Sequence, residues 1–133
     1  MRKDRKMRGF TLVELLIVLL ILGILIGLAV PRYLASIEKA KETTFCSNVR
    51  NVVSAIEAWR MDTGTTAYPE TATFLNNNII QSASYFSQPP ENPYTGSVLE
   101  AIGAATANLD NYFYYTATNN TYVIDTKPPC GLQ

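Results

Sequence analysis

The chain has 133 residues, 47% of them hydrophobic, and a formal net charge of zero, which bounds it to one small domain. It contains no histidine, the usual general base and the commonest metal ligand, and it has no nucleophile elbow, P-loop or dinucleotide fingerprint. No catalytic residue, metal site or cofactor is therefore expected, and the chain reads as a non-enzyme. The zero charge hides an asymmetry: Arg2, Lys3, Arg5, Lys6 and Arg8 face only Asp4, and the rest carries six basic against ten acidic residues, a net of −4. Such a domain gains no general attraction to phosphate backbones, so nucleic acid is not an expected partner.

Met1 to Gly9 form the basic leader. The 21 residues from Phe10 to Val30 follow, with Glu14 as their one charge, and Leu15 to Val30 are apolar for 16 residues in a row. About 20 apolar residues span a bilayer as a helix. Just beyond the run, Arg32, Lys39 and Lys41 are offset by Glu38 and Glu42. The larger positive charge lies in the leader, which places the N-terminus in the cytoplasm and the C-terminal part outside.

The helical pattern continues past the apolar run. Ile37, Phe45, Val49, Val52, Ile56 and Trp59 recur mostly at steps of three and four, an amphipathic stripe. Pro31 lacks an N–H and loosens or kinks the preceding turn. Gly64 is the natural stop. One helix is predicted from about Phe10 to about Met61, roughly 78 Å long at about 1.5 Å per residue.

Turn signals dominate next: Tyr68-Pro69, Asn76-Asn77-Asn78, Pro89-Pro90 and Asn92-Pro93-Tyr94-Thr95-Gly96. Only short helical turns fit there, near Ala72 to Leu75 and Val98 to Ala105. Tyr112 to Ala117 and Thr121 to Asp125 are aromatic and β-branched runs around Thr118-Asn119-Asn120, which reads as a β-hairpin. Hairpins are marginal alone, and the roughly 70 residues after the helix are too few for a core of their own. They need the helical stripe. The expected fold is therefore α+β: a long N-terminal helix, transmembrane in its first half, with a small antiparallel sheet packed on its second half.

Two cysteines, Cys46 on the helix and Cys130 near the C-terminus, are too far apart for a CxxC motif. In an exported chain they form one disulfide or stay two separate buried thiols. A bond stapling the tail to the helix would stabilise by roughly 4.5 kcal/mol in the chain-entropy model. Tyr112, Tyr114, Tyr115 and Tyr122 either form an aromatic surface or alternate between core and solvent. Gly23-x-x-x-Gly27 fits a close helix-packing face or has no role.

Glu14 needs a reason to sit in an apolar helix, where a carboxylate costs about 3 kcal/mol at the bilayer centre and less near an edge. One reason is an ammonium on a neighbouring subunit; the other reading is that Glu14 lies near the cytoplasmic face and reaches water. A rival reading of the whole segment uses the small residues Gly27 and Ala29 as an ordinary secretory cleavage site. A cut after Ala29 would release residues 30–133 as a secreted soluble binding domain. The charge at Glu14 and a stripe that continues past the cut argue against it.

Arg8-Gly9-Phe10-Thr11-Leu12-Val13-Glu14 resembles the processing site of type IV pilins and of type II secretion pseudopilins. The resemblance implies a cut between Gly9 and Phe10 by a membrane prepilin peptidase, which also N-methylates Phe10. Glu14 becomes the fifth mature residue, the family's assembly glutamate, and Gly23 and Pro31 match its helix-loosening glycine and its proline. Residue by residue the likeness is close from Gly9 to Pro31. The implied organisation is a leader at 1–9, a transmembrane and filament-core half-helix at 10–31, and a globular head at 32–133. The implied partners are other copies in a helical filament, the peptidase/N-methyltransferase, an inner-membrane assembly platform with its ATPase motor, and membrane lipid before assembly. The implied location is the bacterial inner membrane, then a periplasmic or surface filament.

Asn92-Pro93-Tyr94-Thr95-Gly96 also resembles a turn of these proteins. Asp125 is the one acidic residue after Asp110, so the calcium loop of the major pseudopilin is missing. The expectation is therefore a pilus subunit first and a pseudopilin as the alternative. Many type IV pilins bracket a C-terminal loop with a disulfide; with Cys46 on the helix, that loop is not carried over.

Overall fold

The computed structural model describes residues 9–103, 111–118 and 120–132. The leader before Gly9, Asn119 of the expected turn, and Ala104 and Ala105 lie outside the described residues. Helix α1 runs from Leu12 to Thr63, 52 residues, close to the predicted span. It contributes to two compact units, one ending at Glu38 and the other beginning at Lys39.

In the first unit the helix is long and apolar enough to cross a membrane. Its large apolar side chains from Leu12 to Leu34 are all exposed. Pro31 lies inside α1, and the helix continues past it. The proline has no N–H for the carbonyl of Gly27, the acceptor four residues back.

In the second unit α1 buries Phe45, Val49, Val52 and Ile56 of the expected stripe, with Cys46 and Ala55 beside them, while Ile37 and Trp59 at the ends of that stripe are half-buried. Gly64 ends the helix at φ +64°, the left-handed conformation that glycine adopts without steric cost. Arg60 ties the helix end to the next loop. It donates to Glu57 at 2.8 Å and to the carbonyl of Thr66 at 2.9 Å, and its guanidinium lies 4.1 Å from the ring centre of Tyr68.

Helix α2, Ala72–Leu75, is one turn capped by Thr71, whose hydroxyl accepts from the N–H of Phe74 at 3.1 Å. A π-helical turn, Asn76–Ile80, continues it and buries Ile79 and Ile80. Three strands follow: β1, Ala101–Ile102; β2, Tyr112–Thr118; and β3, Thr121–Lys127. β2 and β3 pair antiparallel as the expected hairpin, with Tyr115 opposite Ile124. The tyrosines alternate. Phe113 and Tyr115 face the core, while Tyr112 and Tyr114 are half-buried on the other face. The Tyr115 hydroxyl donates to the buried carbonyl of Pro69 at 2.9 Å. Burial, followed by the neighbouring Tyr122 and Tyr68, holds its phenol well above the ordinary tyrosine range.

β1 differs from expectation. The segment near Val98 was predicted to form a helical turn. Instead Val98 makes an isolated bridge with Glu91, and Ala101 and Ile102 pair parallel with Phe113 and Tyr114. The sheet is thus mixed, with order β1-β2-β3. Asn76 causes part of this. Its side-chain amide donates to the carbonyl of Ala101 at 2.9 Å and accepts from its N–H at 2.7 Å. That two-point clamp occupies the backbone groups of β1 as a neighbouring strand would. Asn76→Ala leaves both groups of the buried Ala101 without the clamp, an expected loss of about 2 kcal/mol. A lower urea midpoint at unchanged slope, read by the single tryptophan Trp59, is the check. An unchanged midpoint would mean that water replaces the clamp.

Cys46 and Cys130 are joined by a disulfide, with Cα atoms 5.3 Å apart. The bond links α1 to the segment after β3.

Candidate assembly site

Thr11 stands just before α1. Its carbonyl accepts from the N–H of Leu15 at 3.2 Å, which begins the helix. Its hydroxyl accepts from the N–H of Glu14 at 3.2 Å, and Glu14 Oε2 accepts from the N–H of Thr11 at 3.5 Å. This is a capping box, Thr-x-x-Glu, in which each side chain satisfies the other residue's orphan backbone donor. The longer bond is at the limit of useful geometry, so the hydroxyl supplies most of the cap. The carboxylate is also favourably placed against the positive end of the helix dipole.

Sequence reasoning singled out Glu14 and passed over Thr11. The signal was present in Thr11-Leu12-Val13-Glu14, a threonine three residues before a glutamate at the head of an apolar run. Thr11 gives Glu14 an intrachain role: its carboxylate points back toward the first residues of the helix rather than along its side.

Gly9 and Phe10 immediately precede the box, and Phe10 is 88% exposed. A Cβ added at Gly9 would meet nothing within 4 Å. Among the described residues nothing covers the Gly9–Phe10 bond or demands glycine at that position. Gly23 and Gly27 likewise have nothing within 4 Å, so this chain's own packing does not require them.

The structure brings Gly9, Phe10, Thr11 and Glu14 together at the start of α1. Gly23 and Pro31 lie further along the same helix. Cys46 and Cys130 belong to the other unit and take no part in the site. Among the described residues, no group of three His, Cys, Asp or Glu side chains gathers to hold a metal ion. The arrangement has no nucleophile–base pair. Among the described residues it offers an exposed peptide bond, an oriented carboxylate and an exposed apolar helix surface.

Residues 4–30 match the family profile described as the prokaryotic N-terminal methylation motif. Type II secretion system core protein G of Aeromonas hydrophila is 36% identical over 103 residues, covering 69% of this chain and 71% of that protein. The same protein of Pseudomonas aeruginosa is 36% identical over 67 residues, 50% of this chain. The chain spans about half the length of that relative, 46%. Type IV major alpha-pilin of Moraxella bovis is 32% identical over 110 residues, 78% of this chain and 69% of the pilin. Further core protein G sequences from Dickeya, Pectobacterium, Klebsiella, Vibrio and Escherichia are similar at 30–37% identity. No solved structure matches the chain.

Proposed function

The chain belongs to the family of type IV pilins and type II secretion pseudopilins, and from that premise we propose that it is a structural subunit of a type II secretion pseudopilus. It is held in the bacterial inner membrane by α1, is cut and methylated at Phe10, and polymerises through the N-terminal half of its helix. The observation that carries the reading is the exposed Gly9–Phe10 bond next to the Thr11–Glu14 box, at the head of a helix whose apolar side chains are exposed.

The order of the two expectations is reversed. A pilus subunit was expected first because the acidic calcium loop is missing. The recurrence of core protein G among the relatives favours the pseudopilin alternative. The missing loop is weak evidence against it, because the Cys46–Cys130 bond supplies this chain with a different tether for its C-terminal segment. The inner-membrane platform and the ATPase motor belong to the proposal as partners, as do the division at 1–9, 10–31 and 32–133 and the roles of Gly23 and Pro31.

Intact-mass measurement of the mature protein tests the reading. The expected mass is that of residues 10–133 with one added methyl group and one disulfide. A chain beginning at Val30 would establish the secretory alternative instead. Deleting the chain in its host separates the two filaments: protein export should fail while surface pili persist. The opposite outcome returns the reading to a pilus subunit.

A further inference from the structure

The apolar part of α1 ends abruptly. Leu15 to Val30 carry no charge, Pro31 follows, and Arg32 is the first charged side chain after Glu14. Between Glu14 and Arg32 the helix rises about 27 Å at about 1.5 Å per residue. The hydrocarbon core of a bilayer is about 30 Å thick. The two charges therefore bracket the core, one at each boundary. Glu14 fits the cytoplasmic side, because its carboxylate is turned back toward the N–H of Thr11, away from the apolar run. Side chains of a helix lean toward its N-terminus, and at this end that direction leads out of the bilayer.

Arg32 stands at the other boundary. It is exposed, and among the described residues no ion pair or hydrogen bond engages its side chain. The positions one turn away, Leu28, Ala29, Ala35 and Ser36, are all uncharged, so no ionic partner lies at helical spacing. Ser36 donates its hydroxyl to the Arg32 carbonyl at 2.9 Å and not to the side chain. Lys39, the next cation along the sequence, differs: it pairs with Glu42 at 3.4 Å. Tyr33 adjoins Arg32 and is 66% exposed. Tyrosine is enriched where a membrane meets water, its ring at the apolar edge and its hydroxyl among the headgroups. Arginine suits a phosphate at that level. Its planar fork donates two parallel N–H bonds, and its stem lies along apolar surface while the charge stays wet.

We infer that Arg32 binds the phosphate of a phospholipid in the outer leaflet of the inner membrane, with Tyr33 beside it at headgroup level. The contact pins the depth of α1 before assembly. It holds Glu14 at the cytoplasmic boundary and presents the Gly9–Phe10 bond just beyond it. The inference rests on the membrane-spanning reading of α1 and adds the lipid group that fixes its height. Removing the charge gives the helix slack. With Arg32→Leu, Leu15 to Ile37 are uncharged, roughly 34 Å of helix and longer than the core.

The test uses the full chain in vesicles of phosphatidylethanolamine and phosphatidylglycerol and requires no filament. With isotope-labelled arginine, lipid phosphorus should dephase a guanidinium signal in solid-state NMR, and Arg32→Lys should remove that signal and so assign it. Depth is read from a nitroxide at Leu19→Cys, an exposed position of the span. Cys46 and Cys130 are bonded, so the introduced thiol is the one free to react. Arg32→Leu should move the label toward the cytoplasmic surface by about 4 Å. Arg32→Lys should keep the wild-type depth, because an ammonium binds phosphate as a point charge. The proposal is overturned if no phosphorus contact is assigned to Arg32, or if Arg32→Leu leaves the label at its wild-type depth. Either result with the label still buried leaves the membrane span standing. A wild-type label exposed to water overturns the span and the proposal together.

Discussion

Glu14→Ala is expected to be processed and inserted normally but to yield few filaments. In the assembled state the Glu14 carboxylate is proposed to meet the Phe10 ammonium of a neighbouring subunit in a core without water. Removing one partner of a buried ion pair costs about 3 kcal/mol or more, because the other charge is left uncompensated. That amounts to roughly a hundredfold in each addition step. The attraction itself is offset by desolvation, so the pair selects register more than it adds stability, as a buried polar group does in a coiled coil.

The capping box sharpens the experiment. Glu14→Ala removes both the charge and an acceptor for the N–H of Thr11. Glu14→Gln keeps an acceptor, since glutamine serves in a capping box, but loses the charge. Both variants should fail similarly in sheared-filament yield against total membrane pool, and Glu14→Lys should do worse because it places two cations together. Normal filament yield from Glu14→Gln would sink the charge-pair mechanism and leave Glu14 as a helix cap. Uncut precursor on the same gel would instead assign Glu14 to processing.

The second large effect is expected at Gly9. Gly9→Val should accumulate as full-length precursor in the membrane, with cleavage slowed by about 10- to 100-fold, as befits a side chain forced into a site shaped for none. The variant isolates processing from folding. Gly9 precedes α1, its φ is not in the left-handed region, and a Cβ there meets nothing within 4 Å. Intact mass gives the ratio of precursor to mature chain directly. Efficient cutting of Gly9→Val before Phe10 would remove Gly9 from the recognition site, and a cut elsewhere would move the site.

What was legible in the sequence was encoded over short distances. The apolar run from Leu15 to Val30 makes a helix long and apolar enough for a membrane because neighbouring residues share one environment. The stripe through Phe45, Val49, Val52 and Ile56 announced a buried helix face because α-helical geometry repeats within a single turn. The hairpin was readable because two alternating runs flank a turn of a few residues. The Gly-Phe-Thr-Leu-x-Glu motif was readable because processing acts on contiguous residues.

The rest required contacts between residues that sequence spacing does not relate. Two residues of β1 are too short to display a period, and their parallel pairing to β2 depends on Asn76, 25 positions before Ala101. Asn76-Asn77-Asn78 looked like loop punctuation, yet Asn76 continues the α2 helix and clamps a strand. The two cysteines were equally compatible with a bond and with separate thiols. Only the packing of the tail against α1 brings their Cα atoms, 84 positions apart in sequence, to 5.3 Å. Helical and strand periods are properties of a local backbone, so the sequence by itself determined the long helix, the hairpin and the membrane segment. Strand order, the amide clamp and the Cys46–Cys130 disulfide depend on which distant surfaces meet, and that was decided by how the sheet closes over the helix stripe.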